Sequence, residues 1–195
     1  MKIGILEVGN LAAYLVQGAQ KEGHTFLLSP RSASKVIELS ERFDCAVAKN
    51  NQALIDASDH ILVFLPASEG VAILRELTFR KDQMVCSAMA AGATLDEIRA
   101  AVFPAEATLS MMPGYANAFS IGPTFLFPSN PVWARFFSAC GPVHEMSDAK
   151  SFETAAVFGA MSGERLFDAP SRGLVRNRRS KPRNCAPPRG RDHSR

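Results

Sequence analysis

The sequence predicts an α/β domain built on a doubly wound parallel sheet, and three observations carry that prediction. Short, β-rich apolar runs alternate with helix-length segments over residues 1–147, the pattern of repeated βα units. Gly23, Pro30 and Pro104 stand where those segments should stop. The first apolar run leads directly into a glycine-containing turn and a helix-forming segment, Ile3-Gly4-Ile5-Leu6-Glu7-Val8-Gly9-Asn10-Leu11-Ala12.

Taken in order, Ile3–Val8 reads as a buried strand and Asn10–Glu22 as a helix with Leu11, Leu15 and Gly18 on one face. Thr25–Ser29 is the second strand. Ser32–Phe43 is the second helix, with Ser32 as its N-cap and Val36, Leu39 and Phe43 turned inward. A short strand at Cys45–Ala48 and a short helix near Gln52–Ala57 follow. His60–Leu65 and Gln83–Met89 read as strands either side of a helix over 68–77. Thr94-Leu95-Asp96-Glu97 is a capping-box pattern opening a helix that ends at Val102, before Pro104. Strands at Thr108–Met112, Thr124–Phe127 and Val143–Met146 surround a helix at Pro131–Ala139, and a last helix begins near Asp148.

Composition removes several classes. The 195 residues are 47% hydrophobic, 21% charged and 8% aromatic, which excludes collagen-like, disulfide-scaffold and wholly disordered chains. No stretch approaches the roughly 18–20 apolar residues of a membrane span. Glu7 and Asn10 interrupt the opening apolar run and no small-residue cleavage site follows, so the chain is read as cytoplasmic. Cys45, Cys86, Cys140 and Cys185 are scattered, with no histidine at ligand spacing, so neither a metal site nor a disulfide framework is expected. The net charge of +3 is unevenly placed. Residues 164–195 hold ten basic groups against three acids, while 1–163 hold twelve against sixteen. That tail, with nine arginines and four prolines, reads as disordered. It offers electrostatic attraction to nucleic acid, but only Phe167 to stack bases, so no nucleic-acid partner is expected.

The chemistry sits at the first turn. In the dinucleotide fingerprint, glycines permit a tight turn and let the backbone approach a pyrophosphate at a helix N-terminus. Gly9 fits the second glycine position and Ala12 the third, while Glu7 stands at the first. A Cβ there opposes a positive φ, and a carboxylate beside a pyrophosphate would repel it by roughly 1–4 kcal/mol per charge pair. At the end of the second strand, Ser29-Pro30-Arg31-Ser32 supplies hydroxyls and a guanidinium, which suit a ribose 2′-phosphate better than free ribose hydroxyls. From this a Rossmann-type domain preferring NADPH to NADH is expected. Val8, Gly9, Asn10, Leu11, Ser29, Arg31 and Ser32 are its candidate contacts.

These segments resemble the pyrroline-5-carboxylate reductases, whose chains open Gly-Phe-Ile-Gly-x-Gly-Asn-Met-Ala/Gly. Gly4 to Ala12 follow that opening except at Glu7, and Gly18 and Gly23 fall on glycines of the family's first helix. Ser87-Ala88-Met89-Ala90-Ala91-Gly92-Ala93-Thr94-Leu95 is similar to its Ser-Ile-Ala-Ala-Gly-Val-Thr-Leu segment, and Met112-Pro113 to its Met-Pro. Gly141, Val143 and Glu145 resemble the strand leading into its second domain. The resemblance covers 1–163. It implies that Asn51, Leu65, Pro66, Ala90 and Ala91 join the cofactor contacts, and that Met112, Pro113 and Tyr115 lie on the substrate side. It also implies hydride transfer from NADPH to a cyclic imine in proline biosynthesis, a small-molecule substrate and a homodimer.

Departures cluster on the substrate side. Phe64-Leu65-Pro66-Ala67 replaces the family's Ala-Val-Lys-Pro and is closer to the β-hydroxyacid dehydrogenases. Ser110 and Gly114 flank Met112-Pro113 where the family has arginine and asparagine, and Phe158–Gly163 is a reduced form of its Ser-Gly-Ser-Gly-Pro-Ala segment. The alternatives are thus an inactive or non-catalytic NAD(P)-binding module, or a related NADP oxidoreductase of the deazaflavin-dependent or β-hydroxyacid dehydrogenase type. The expected organisation is an NADP-binding domain over 1–147, the start of a helical dimerisation domain over 148–163, and the basic tail over 164–195. The tail reads as out-of-frame text from a GC-rich gene, a frameshift or truncation in place of the second domain. No catalytic residue is assigned.

Overall fold

A computed structural model describes residues 1–89, 92–112 and 114–157. Ala90, Ala91 and Pro113, the stretch Phe158–Gly163 and the basic tail lie outside the described residues.

Eight strands form one sheet in the order β3-β2-β1-β4-β5-β6-β7-β8. They are β1 Lys2–Leu6, β2 Thr25–Leu28, β3 Ala46–Val47, β4 His60–Val63, β5 Met84–Ser87, β6 Glu106–Met111, β7 Thr124–Phe127 and β8 Val143–Glu145. Every pairing is parallel except β6 with β7. The chain winds outward from β1 through β2 to β3, then returns to the other side of β1 to lay down β4 and β5. This is the doubly wound topology expected from the sequence. The crossovers are α1 Asn10–Ala19, α2 Ala33–Phe43, α3 Asn51–Asp56, α4 Ala67–Arg75, α5 Leu95–Val102 and α6 Pro131–Ser138. A further helix, α7, occupies 149–157 within the described residues.

Buried apolar runs make the central strands, as parallel strands covered on both faces require. Ile3, Ile5, Ile61, Val63 and Val85 are fully buried. Two clusters flank the sheet, one holding Leu15, Leu28, Trp133, Phe136 and Phe137, the other Leu54, Ile55, Leu74, Ile98 and Phe152. Helix starts follow local capping chemistry. Thr94 and Glu97 form the expected capping box of α5, and Asn130 accepts from Val132 and Trp133 at the start of α6. Asp148 accepts from the Ser151 N–H (2.9 Å) at the start of α7.

Three expectations need correction. β1 ends at Leu6 rather than Val8, because Glu7 takes a left-handed φ of 71° and turns the chain. The first helix stops at Ala19 and tightens into a 3-10 turn over Gln20–Glu22, closed by left-handed Gly23. Ser32 occupies the N-cap position of α2, yet its side chain makes no capping hydrogen bond. Its hydroxyl is engaged elsewhere, as the site shows.

Candidate functional site

In an open, doubly wound sheet the ligand crevice lies beyond the carboxyl ends of the strands, where the winding reverses. Here that point falls between β1 and β4. The Phe64 N–H donates to the Leu6 carbonyl (2.9 Å), so the two strand ends leave the sheet side by side. From β1 come Glu7, Val8 and Gly9. From β4 come Leu65 and Pro66, Pro66 being the N-cap residue of α4.

At the β1–α1 turn, Gly9 caps α1 without a side-chain hydrogen bond, so the first N–H groups of the helix face outward unclaimed by a cap. A Cβ built on Gly9 would meet nothing within 4 Å. The turn is therefore an open backbone cradle with the positive end of a ten-residue helix beneath it. Asn10 is exposed and Leu11 half-buried at its rim. Val8 and Ala12 are fully buried, so Val8 presents only backbone, and Ala12 lets α1 pack closely on the sheet.

The next group of side chains closes around Glu7. Its N–H donates to the hydroxyl of buried Ser29 (2.9 Å), which holds the strained turn against the end of β2. Its carboxylate accepts from the Ser32 hydroxyl at Oε1 (3.0 Å) and faces the Arg31 guanidinium at Oε2 (3.8 Å). The carboxylate therefore points along the β2–α2 connection, toward the residues expected to recognise the ribose. Asn51 opens α3, half-buried beside Asn50, whose side chain caps that helix. Leu65 is buried and Pro66 exposed.

On the far side of the crevice, Met112 is buried beyond β6, and Tyr115 stands in a 3-10 turn over Tyr115–Phe119. Tyr115 packs edge-on to Tyr14 of α1 and to Phe119, with ring centroids 5.5 and 5.1 Å away. Buried Asn117 anchors this loop, a role no local sequence pattern signals. It accepts from the Gly114 N–H (3.0 Å) and donates to the carbonyls of Gly122 (2.8 Å) and Cys140 (3.3 Å). The turn lies so close on α1 that a Cβ on Gly18 would overlap the Asn117 carbonyl oxygen, which accounts for the glycine there.

Other candidates fall away from the crevice chemistry. Burial pushes the thiols of Cys45, Cys86 and Cys140 up to about 11, 12 and 12, so they pack as small hydrophobes rather than act as nucleophiles. His60 packs against Trp133 at the start of β4, and desolvation lowers its pKa. Among the described residues no three His, Cys, Asp or Glu groups cluster to hold a metal ion, and no helix is long and apolar enough to cross a membrane.

A doubly wound, Rossmann-type α/β domain is the class that this topology defines. Residues 2–91 match the family model described as NADP oxidoreductase, coenzyme F420-dependent. No curated protein sequence matches the chain. Among solved structures, the fold is that of the pyrroline-5-carboxylate reductases. The enzyme from Streptococcus pyogenes aligns with a TM-score of 0.67 at 18% identity, over 96% of this chain and 86% of that one. The Plasmodium falciparum pyrroline carboxylate reductase with NADP bound gives 0.65 at 13%, over 89% and 70%. A reductive aminase from Aspergillus terreus in complex with NADPH and ethyl levulinate gives 0.68 at 17%, over 90% of this chain but only 66% of that enzyme.

Proposed function

We propose that the chain is the dinucleotide-binding part of an NAD(P)H-dependent reductase acting on the carbon–nitrogen double bond of a small imine, with proline formation from a pyrroline carboxylate as the reaction its resemblance favours. The open Gly9 cradle on an uncapped helix, at the reversal point of a sheet shared with imine-reducing enzymes, carries this reading.

The residues present fit the cofactor at its pyrophosphate. The first N–H groups of α1, at Asn10 and Leu11, would receive that anion without a side chain in the way. Arg31 and Ser32 beyond β2 would meet the ribose, while Ser29, expected as a contact, is buried and braces the turn through the Glu7 N–H instead, and Asn51 opens the neighbouring helix. Leu65 and Pro66 wall the crevice from β4. Ala90 and Ala91, outside the described residues, belong to the same proposed wall, and Met112, Pro113 and Tyr115 to the substrate side. When bound, the dinucleotide supplies the hydride.

The chain's own part is to orient and to exclude water. An iminium substrate already carries its activating proton, so the buried surface around Met112 and the ring of Tyr115 need only position it. Homodimerisation, a cytoplasmic location and the division at 147 and 163 belong to the same reading.

Gly9→Val tests it by placing a branched side chain in the cradle. NADPH affinity, followed by nicotinamide fluorescence, should fall about tenfold or more with little change in the unfolding midpoint. Unchanged affinity would overturn the site assignment. A second reading, binding without turnover, is favoured by the carboxylate that Glu7 brings into the pocket. NADPH binding with no oxidation by 1-pyrroline-5-carboxylate or a simple cyclic imine would support it.

A further inference from the structure

We infer that Glu7 is an internal occupant of the ribose 2′-phosphate subsite and a specificity-determining residue that turns the site away from NADPH. This inference rests on the dinucleotide-binding reading above.

Arg31 and Ser32 are the groups that would recognise a 2′-phosphate, and both are already engaged. The Ser32 hydroxyl donates to one Glu7 carboxylate oxygen (3.0 Å) and the Arg31 guanidinium faces the other (3.8 Å). Lys35, the next cation along, is bound to Glu38 at 2.9 Å. Ser32 has given up the usual duty of its position, since it caps none of the α2 N–H groups. Ser29 is committed as well, because its hydroxyl accepts the Glu7 N–H from 1% exposure.

The placement follows from strand register. Ile5 of β1 lies level with Leu28 of β2, so a residue two beyond Ile5 comes level with the start of the β2–α2 connection. The left-handed turn at Glu7 then brings its carboxylate onto that connection.

A phosphate monoester near neutral pH carries about −1.5 to −2 charges. To reach Arg31 and Ser32 it must displace a carboxylate that already accepts from Ser32 and faces Arg31, and then lie beside it. A ribose with free hydroxyls meets no such opposition. Its hydroxyls donate to carboxylates, which is the chemistry an acidic residue at the end of the second strand supplies in NAD sites. Glu7 delivers that acid from the first turn instead. An NADPH preference requires Arg31 and Ser32 to be available, and Glu7 already holds both.

The test compares NADPH and NADH affinities of the full chain by fluorescence titration, for the wild type, Glu7→Gln and Glu7→Gly. Adenosine 2′,5′-bisphosphate and AMP serve as fragment probes. The wild type should hold the two cofactors within about threefold of each other, and Glu7→Gln should tighten NADPH by about tenfold while moving NADH by less than about threefold. A wild-type preference for NADPH above about tenfold overturns the inference, as does an equal gain for both cofactors in the variants, which would mark a general effect on the turn. If neither variant folds, the wild-type ratio and the fragment probes still decide. If neither cofactor binds any form, the dinucleotide reading itself falls, and this inference with it.

Discussion

The two edges of the sheet are built on different terms. At the amino edge, where β2, β4 and β5 begin, polar groups are used up in fixing the backbone. Fully buried Gln83 donates to the carbonyls of Ile55 (2.7 Å) and Ser58 (2.8 Å) and accepts from the Arg80 N–H (2.7 Å). Arg80 reaches the Asp56 carbonyl (3.0 Å), so the α3–β4 and α4–β5 connections are tied together. At the carboxyl edge the first helix is left uncapped, Gly9 opens onto empty space, and a carboxylate, a hydroxyl and a guanidinium meet near solvent. One edge spends its polar groups on tying connections together, and the other holds them near solvent, where the proposed ligand would meet them. Substitutions at the two edges should therefore separate stability from binding.

The largest effect belongs to Gln83→Leu. Three backbone groups lose the buried amide that joins them, which should cost about 2–4 kcal/mol in urea unfolding. Cofactor affinity of the folded fraction should not move. A matching loss of affinity would show that the edges are coupled. Gly18→Ala probes the place where stability and site meet. The new methyl meets the Asn117 carbonyl, so the variant should lose about 1–3 kcal/mol. It should also shift the loop that carries Tyr115, read as a change in imine KM larger than that in NADPH affinity.

Acid should weaken the amino edge first. Desolvation lowers the pKa of both His24 and His60 below the ordinary 6.5, with the amino terminus adding to the effect at each. The unfolded chain then takes up protons that the folded chain refuses. Stability is full above that ordinary value and declines as pH falls below it. The unfolding temperature should fall by a few degrees between about pH 7.5 and 5.5. His60→Phe should flatten part of that slope. A profile flat to about pH 5 would mean that the histidines stay open to water.

Much of the fold was legible in the sequence because its signals are local. Thr94 and Glu97 are three residues apart, so their capping box is readable without the structure. Turn residues and apolar runs place the strands to within one or two positions. What escaped depends on partners distant in sequence. Asn117 works through Gly122 and Cys140, and Gln83, read only as the first residue of a strand, works through residues 25 and 28 positions away. The fingerprint shows Glu7 as a departure, but its spacing alone sets the charge against the pyrophosphate. Its contact with Ser32 spans 25 residues. It becomes visible once β1 and β2 are paired as neighbours, which the doubly wound order already implies.

The smallest effect on stability is the most informative about the carboxyl edge. Arg31 is 60% exposed in its side chain and lies 3.8 Å from the Glu7 carboxylate, the geometry of a surface ion pair. Such pairs contribute about 0–1 kcal/mol, so Arg31→Ala should leave the urea midpoint nearly in place. That near-silence makes any change in affinity attributable to recognition. In the Glu7→Gln background, where the guanidinium is released, Arg31→Ala should weaken NADPH by about tenfold and leave NADH unmoved. With Glu7 present, the same substitution should change the ratio far less, because the cation it removes is already answered. If Arg31→Ala instead destabilises the protein as far as Gln83→Leu is expected to, the carboxyl edge is as much a structural staple as the amino edge, and the division of labour between them is lost.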